Sequence, residues 1–184
     1  IGGFYYVDTG TSVYECRAVG IFRKENKKPM VGDDVVIEVL SEEEKTGSLV
    51  EICPRKNELI RPAVANIDQM LMIFAAAKPD PNLNLLDRFL VMMEVQEIPV
   101  YLCFNKADVA STGQKELLKD IYEKTGYSVL FFSAKEENGI EPLREILKGK
   151  TSVLAGPSGV GKSTLMNLLY PKAEMETGQI SEKI

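Results

Sequence analysis

Two hydrophobic rhythms divide the chain. Up to about Pro62, apolar and polar positions alternate: Tyr14, Cys16 and Ala18 are separated by Glu15 and Arg17, and Val35, Ile37 and Val39 by Val36 and Glu38. A period of two marks sheet with one covered face. Turn-forming stretches interrupt the pattern at Asp8-Thr9-Gly10, Lys27-Lys28-Pro29, Val31-Gly32-Asp33 and Lys45-Thr46-Gly47. Four or five short strands in roughly sixty residues predict a small barrel, and an OB-fold is the barrel of that size.

From Gln69 the rhythm changes. Met70, Leu71, Met72, Ile73 and Phe74 form an unbroken apolar run, as expected of a strand covered on both faces. A helix follows, capped by Asn82 or Asn84, with Leu86, Phe89, Leu90 and Met93 on one face. Then come a strand at Val100 to Phe104, a helix through Leu117, Leu118, Ile121 and Tyr122, a strand at Val129 to Phe132, and a helix around Leu143 to Leu147. A last strand, Ser152 to Ala155, runs into a helix from Ser163 to Leu169. Strands alternating with helices predict a parallel, doubly wound α/β sheet, with ligands at the carboxyl ends of its strands. Arg61-Pro62-Ala63 marks the junction, because proline favours an extended approach. The expected layout is an all-β OB-like barrel over 1–62, a linker over 63–68 and an α/β domain over 69–184.

Composition narrows the chemistry. The 184 residues are 45% hydrophobic and 27% charged, as in a globular protein with real cores. No apolar run is long enough for a membrane span, and the start, Ile1-Gly2-Gly3-Phe4, lacks the build of a signal peptide, so a cytoplasmic protein without a membrane partner is expected. There is no histidine, and Cys16, Cys53 and Cys103 stand too far apart for a metal-ligand spacing. With a net charge of -5 the molecule is no polycation, so any RNA contact must be local. In the barrel, Phe4, Tyr5, Tyr6 and Tyr14 are candidate stacking surfaces and Arg23, Lys24, Lys27 and Lys28 candidate phosphate contacts. Aromatic residues in a small barrel more often build its core, and the charges of residues 1–62 nearly balance.

Three short stretches carry specific chemistry. Gly156, Pro157, Ser158, Gly159, Val160, Gly161, Lys162 and Ser163 fit G-x-x-x-x-G-K-[ST], between a strand and a helix as that phosphate-binding loop requires. Its backbone N–H groups and helix start would cradle a polyphosphate, Lys162 would reach the β- and γ-phosphates, the Ser163 hydroxyl would ligate Mg²⁺, and Thr164 would extend the cradle. Lys162 and Ser163 are the candidates for transition-state stabilisation. At the ends of two other predicted strands stand Asn105-Lys106-Ala107-Asp108 and Ser133-Ala134-Lys135. An ionised Asp108 can accept two parallel hydrogen bonds from guanine N1–H and its exocyclic amine, which adenine cannot offer. Asn105 would support the loop, the stems of Lys106 and Lys135 would cover the base, and the Ala134 N–H would meet the guanine carbonyl.

Together the N-K-x-D, S-A-K and P-loop stretches resemble the guanine and phosphate motifs of GTPases, in an order similar to the circularly permuted members, where the P-loop comes last. The barrel ahead of them, with Gly2-Gly3-Phe4-Tyr5-Tyr6-Val7, Val31-Gly32-Asp33, Arg61-Pro62, Ala65-Asn66-Ile67-Asp68 and Asn84-Leu85-Leu86-Asp87-Arg88-Phe89-Leu90, resembles the small-subunit-dependent RsgA/YjeQ family. That resemblance implies a GTP/GDP-binding, Mg²⁺-dependent GTPase that assists late maturation of the small ribosomal subunit, touches its rRNA and works as a monomer. It also implies switch segments and a zinc-binding domain past Ile184, so the chain is expected to be part of a longer protein. Gly159 stands where some potassium-stimulated GTPases carry an asparagine, so no potassium site is assigned. The alternatives are an RNA-binding, nucleotide-sensing switch that acts on another target with incidental hydrolysis, and an ATP-dependent P-loop kinase, which Asn105, Lys106, Asp108 and the Ser133 to Lys135 stretch disfavour.

Overall fold

The computed structural model describes residues 3–20 and 28–171. The chain forms two compact units, Ile1–Ile67 and Asp68–Ile184.

In the first unit, β1 (Phe4–Asp8), β2 (Val13–Ala18), β3 (Val35–Ser41) and β4 (Thr46–Ile52) form a sheet in the order β1-β2-β4-β3. The outer pairs are antiparallel, and β2 runs parallel to β4. Alternation places Tyr14, Cys16, Leu49 and Ile52 in the core, with Tyr5, Val7, Ala18, Val35 and Ile37 packed against them. The other side of the β1–β2 hairpin pairs Phe4 with Arg17 and Tyr6 with Glu15. The Arg17 guanidinium lies 4.6 Å from the Phe4 ring centroid, and the Tyr6 hydroxyl donates to Glu15 at 3.0 Å. Of the four candidate stacking residues, Tyr14 is therefore buried and Tyr5 packs on the core, because neighbours on a strand face opposite ways. Phe4 and Tyr6 lie on the solvent side, Tyr6 being 69% exposed. Arg23, Lys24 and Lys27 lie outside the described residues.

The stretch from Cys53 to Ile67 is stitched to the loop at 28–34. β5 (Glu58–Leu59) pairs with β6 (Val64–Ala65), and Val64 bridges to Val31. Residues 63–68, read above as a linker, carry this strand, and the first unit runs through them to Ile67. Asn57 exchanges two hydrogen bonds with the Ile67 backbone, and Asn66 donates to the Gly32 carbonyl. Gly32 is obligatory, since at φ +90° its Cβ would stand 2.3 Å from the Ala65 carbonyl oxygen. Arg55 grips Asp33 at both carboxylate oxygens (2.6 and 2.9 Å) and donates to the Lys28 carbonyl. These bonds to Asp33 raise the Arg55 pKa above its already high ordinary value.

In the second unit, β7 (Gln69–Ala75), β8 (Val100–Asn105), β9 (Ser128–Phe131) and β10 (Ser152–Ala155) form a wholly parallel sheet in the order β10-β7-β8-β9. All seven residues of β7 are buried, as its unbroken apolar run requires. Helices α1 (Leu83–Val95), α2 (Thr112–Glu123), α3 (Glu141–Leu147) and α4 (Lys162–Leu169) alternate with the strands. Asn82, not Asn84, caps α1 by accepting from the Leu85 N–H, and Ser111 with Gln114 forms a reciprocal cap on α2. Leu118 and Tyr122 are the buried residues of α2, while Leu117 and Ile121 of the same predicted helix are 59% and 37% exposed. Successive helical residues diverge by about 100°, so one stripe cannot bury both pairs. Leu71, Ile73 and Ala75 pack with Leu143 of α3 and Leu165 of α4. The chain advances from β7 to β9 and then returns to place β10 beyond β7, so the carboxyl ends of β7 and β10 flank a topological switch point.

Removing the Asp33 carboxylate strands a guanidinium that is only 14% exposed. Asp33→Ala is expected to cost about 3 kcal/mol, read as a lower urea midpoint for first-unit amide signals, while Glu58→Ala, on the exposed rim of the same cluster, costs under about 1 kcal/mol.

Candidate nucleotide-binding site

The loop from Gly156 to Gly161 follows β10 directly. Gly156, at φ +145°, lies so close to β7 that a Cβ would come within 2.0 Å of the Ile73 carbonyl oxygen. Gly161, at φ +92°, starts α4, and a Cβ there would meet the Asn105 amide nitrogen at 2.3 Å. Between them the Val160 side chain is buried in the core with Leu71, Ile73 and Leu165, so the loop is anchored from below. No side chain caps α4, and the first-turn N–H groups of Lys162, Ser163 and Thr164 lie at its positive end. Lys162 donates to the Gly156 and Pro157 carbonyls at 2.9 and 2.6 Å, which holds its ammonium across the loop. Burial lowers its pKa from the ordinary lysine value. Ser163 is half-buried, and Ser158 and Thr164 are exposed.

Asn105 ends β8, 3% exposed, and all its bonds are made to backbone. Its Nδ2 donates to the Val160 carbonyl of the P-loop at 2.8 Å. Its Oδ1 accepts from the Ala134 N–H at 2.9 Å and from the Lys106 N–H at 2.7 Å. One side chain thus joins all three stretches. The Ala134 N–H, assigned above to a guanine carbonyl, is in this arrangement given to Asn105. Ser133 is buried, and its backbone exchanges two hydrogen bonds with Asn138 to close the loop after β9. Lys135 is a solvated side chain, 83% exposed and 3.3 Å from the Glu136 carboxylate. Asp108 is exposed in the turn before α2, and its carboxylate has no partner among the described residues. Lys106, at φ +60°, donates from its ammonium to the Lys78 carbonyl at 2.8 Å. Lys78 belongs to the turn after β7, which no sequence motif marks.

The order of these parts along the chain, the Asn105 and Ser133 strand ends first and the glycine-rich loop last, is that of a permuted GTPase domain. Residues 52–184 match the RsgA GTPase family, and residues 1–49 the RsgA N-terminal domain. The chain belongs to the RsgA GTPase family. It is 55% identical to the small ribosomal subunit biogenesis GTPase RsgA of Agathobacter rectalis and 50% identical to that of Alkaliphilus metalliredigens, over all of this chain in both cases. The chain spans 65% and 63% of the lengths of these RsgA relatives. Among solved structures, YjeQ from Thermotoga maritima superposes with a TM-score of 0.78 at 36% identity, over 91% of this chain and 61% of that one. YloQ, described as a circularly permuted GTPase, superposes at 0.72 with 40% identity, over 92% and 61%.

In this RsgA-family chain the Asn105 amide is both donor and acceptor, which gives it a test. Asn105→Asp keeps the oxygen that meets the Ala134 and Lys106 amides but sets an oxygen against the Val160 carbonyl. We expect a loss of about 2 kcal/mol in urea unfolding of the second unit, with Asn105→Ala losing about 3 kcal/mol because buried groups on both sides are then unpaired.

Proposed function

We propose that this protein binds Mg²⁺-GTP and GDP at the joined carboxyl ends of β8, β9 and β10 and hydrolyses GTP during maturation of the small ribosomal subunit. The observation that carries the reading is the three-way hydrogen bonding of Asn105, which ties the phosphate loop to both base-reading stretches. The Asp108 carboxylate reads the N1–H and exocyclic amine of guanine, and the stems of Lys106 and Lys135 cover the ring. Because the Ala134 N–H already serves Asn105, the following amide, that of Lys135, is the donor assigned to the guanine carbonyl.

Gly156, Pro157, Ser158, Gly159, Val160 and Gly161 supply backbone N–H groups to the phosphates, aided by the start of α4 and by Thr164. Lys162 gives up the Gly156 and Pro157 carbonyls for phosphate oxygens, and its partial burial strengthens that attraction. Of the loop residues we assign the Ser163 hydroxyl as the protein ligand to a cation bound with the nucleotide. Mg²⁺ suits such a site, since it takes few protein ligands together with phosphate and water. When bound it neutralises charge on the phosphates. Lys162 and Ser163 are the catalytic residues of this reading, and both act by holding the transferred group.

The RsgA relatives, named as small ribosomal subunit biogenesis GTPases, support the small ribosomal subunit as partner. We assign the first unit to rRNA contact, with Phe4 and Tyr6 as its outward aromatic residues, and the whole protein to the cytoplasm as a monomer. No helix among the described residues is long and apolar enough to cross a membrane.

Two measurements check this. Asp108→Asn exchanges an acceptor for a donor facing the base, so its preference should move from GDP toward XDP by at least about tenfold, read by competition against a fluorescent nucleotide. GTP turnover by the full-length protein should rise when small ribosomal subunits are added; an unchanged rate would remove the ribosomal assignment and leave the nucleotide site standing.

A further inference from the structure

We propose that the turn leaving β7 is a positioning element of the base site, acting through the backbone carbonyl of Lys78 on the side chain of Lys106. The inference rests on the guanine reading above and adds to it a segment that carries none of the nucleotide motifs.

The two lysines assigned to the faces of the base are held very differently. Among the described residues Lys135 pairs with an exposed neighbour, Glu136. Lys106 is fixed at both ends: its N–H donates to Asn105 Oδ1 at 2.7 Å, and its ammonium donates to the Lys78 carbonyl at 2.8 Å. A lysine stem pinned at its root and tip has few rotamers left, so one wall of the pocket is set before a base arrives. The carbonyl that pins it is itself well anchored. Ala76 and Ala77, just before it, are buried, and the Ala76 N–H donates to the Asn105 carbonyl at 2.7 Å. Just after the turn, Asn82 caps α1. Lys78 sits at φ +51°, in the left-handed region.

Presetting Lys106 removes part of the ordering cost of nucleotide binding. A rotamer-rich side chain immobilised on association weakens affinity about two- to tenfold, so loosening the Lys78 carbonyl should weaken GDP by about that factor. The effect should appear in the dissociation rate. It should leave the ratio of GDP to IDP affinity unchanged, because IDP differs only in the exocyclic amine that Asp108 reads.

The test is a double-mutant cycle on the whole chain, using a fluorescent GDP analogue and stopped-flow dissociation. Lys78→Gly keeps the left-handed backbone accessible while freeing the carbonyl. Lys106→Met keeps an apolar stem and loses the ammonium. Each single variant should bind GDP about two- to tenfold more weakly, and the double variant no more weakly than the worse single one. Lys78→Asn, which removes the side-chain charge but favours the same backbone conformation, should lose less than Lys78→Gly. Wild-type affinity in Lys78→Gly, or fully additive losses in the double variant, would overturn the proposal. A wild-type chain that bound GDP no better than ADP would instead defeat the guanine reading, and the same plate separates the two results.

Discussion

The second unit depends on one buried primary amide. The Asn105 side chain carries an N–H donor and a separate oxygen acceptor, so it can give a hydrogen bond to a carbonyl while accepting from N–H groups, and here it does both. Its donor side holds the phosphate loop by the Val160 carbonyl, and its acceptor side holds the amides of Lys106 and Ala134. Because the site is buried, each of these backbone groups would be costly to leave unpaired. The same closeness explains Gly161, where any Cβ would collide with the Asn105 amide.

Such a joint also explains why the order of motifs along the chain is free to change. In a parallel sheet the carboxyl ends of all strands lie along one edge, and what must be conserved physically is adjacency in the sheet. β10 lies beside β7, and β7 beside β8, although β10 comes last in sequence. The P-loop therefore sits next to the end of β7 and within reach of Asn105, whichever strand the chain visits first. Val160, buried with Leu71, Ile73 and Leu165, converts that adjacency into packing.

The first unit solves a different problem. A small sheet has little core, and the described one gathers Tyr14, Cys16, Leu49 and Ile52 with a ring of half-buried neighbours. Polar stitching supplements it: Arg55 with Asp33, Asn57 with Ile67 and Asn66 with Gly32 fasten residues 53–67 to the loop at 28–34. The outward side of the β1–β2 hairpin is left with Phe4 and Tyr6 beside Arg17 and Glu15, a mixed surface in which charge alone selects no partner.

By itself the sequence determined what local chemistry can dictate. The unbroken run in β7 had to be buried on both faces, the alternation through Tyr14 and Cys16 had to be sheet, and the glycines of 156–161 had to make a tight loop between strand and helix, because each depends only on spacing and residue type. Tertiary structure decided everything that needs a partner distant in the chain. Whether Asn105 meets the base or the backbone depends on where Val160 and Ala134 arrive. That Val64–Ala65 is a strand depends on Glu58–Leu59 and Val31, and that Leu117 faces outward depends on which stripe of α2 meets the sheet. The bond from Lys106 to the Lys78 carbonyl left no sequence signal at all, because a backbone acceptor is common to every residue and only the fold chooses which one a side chain finds.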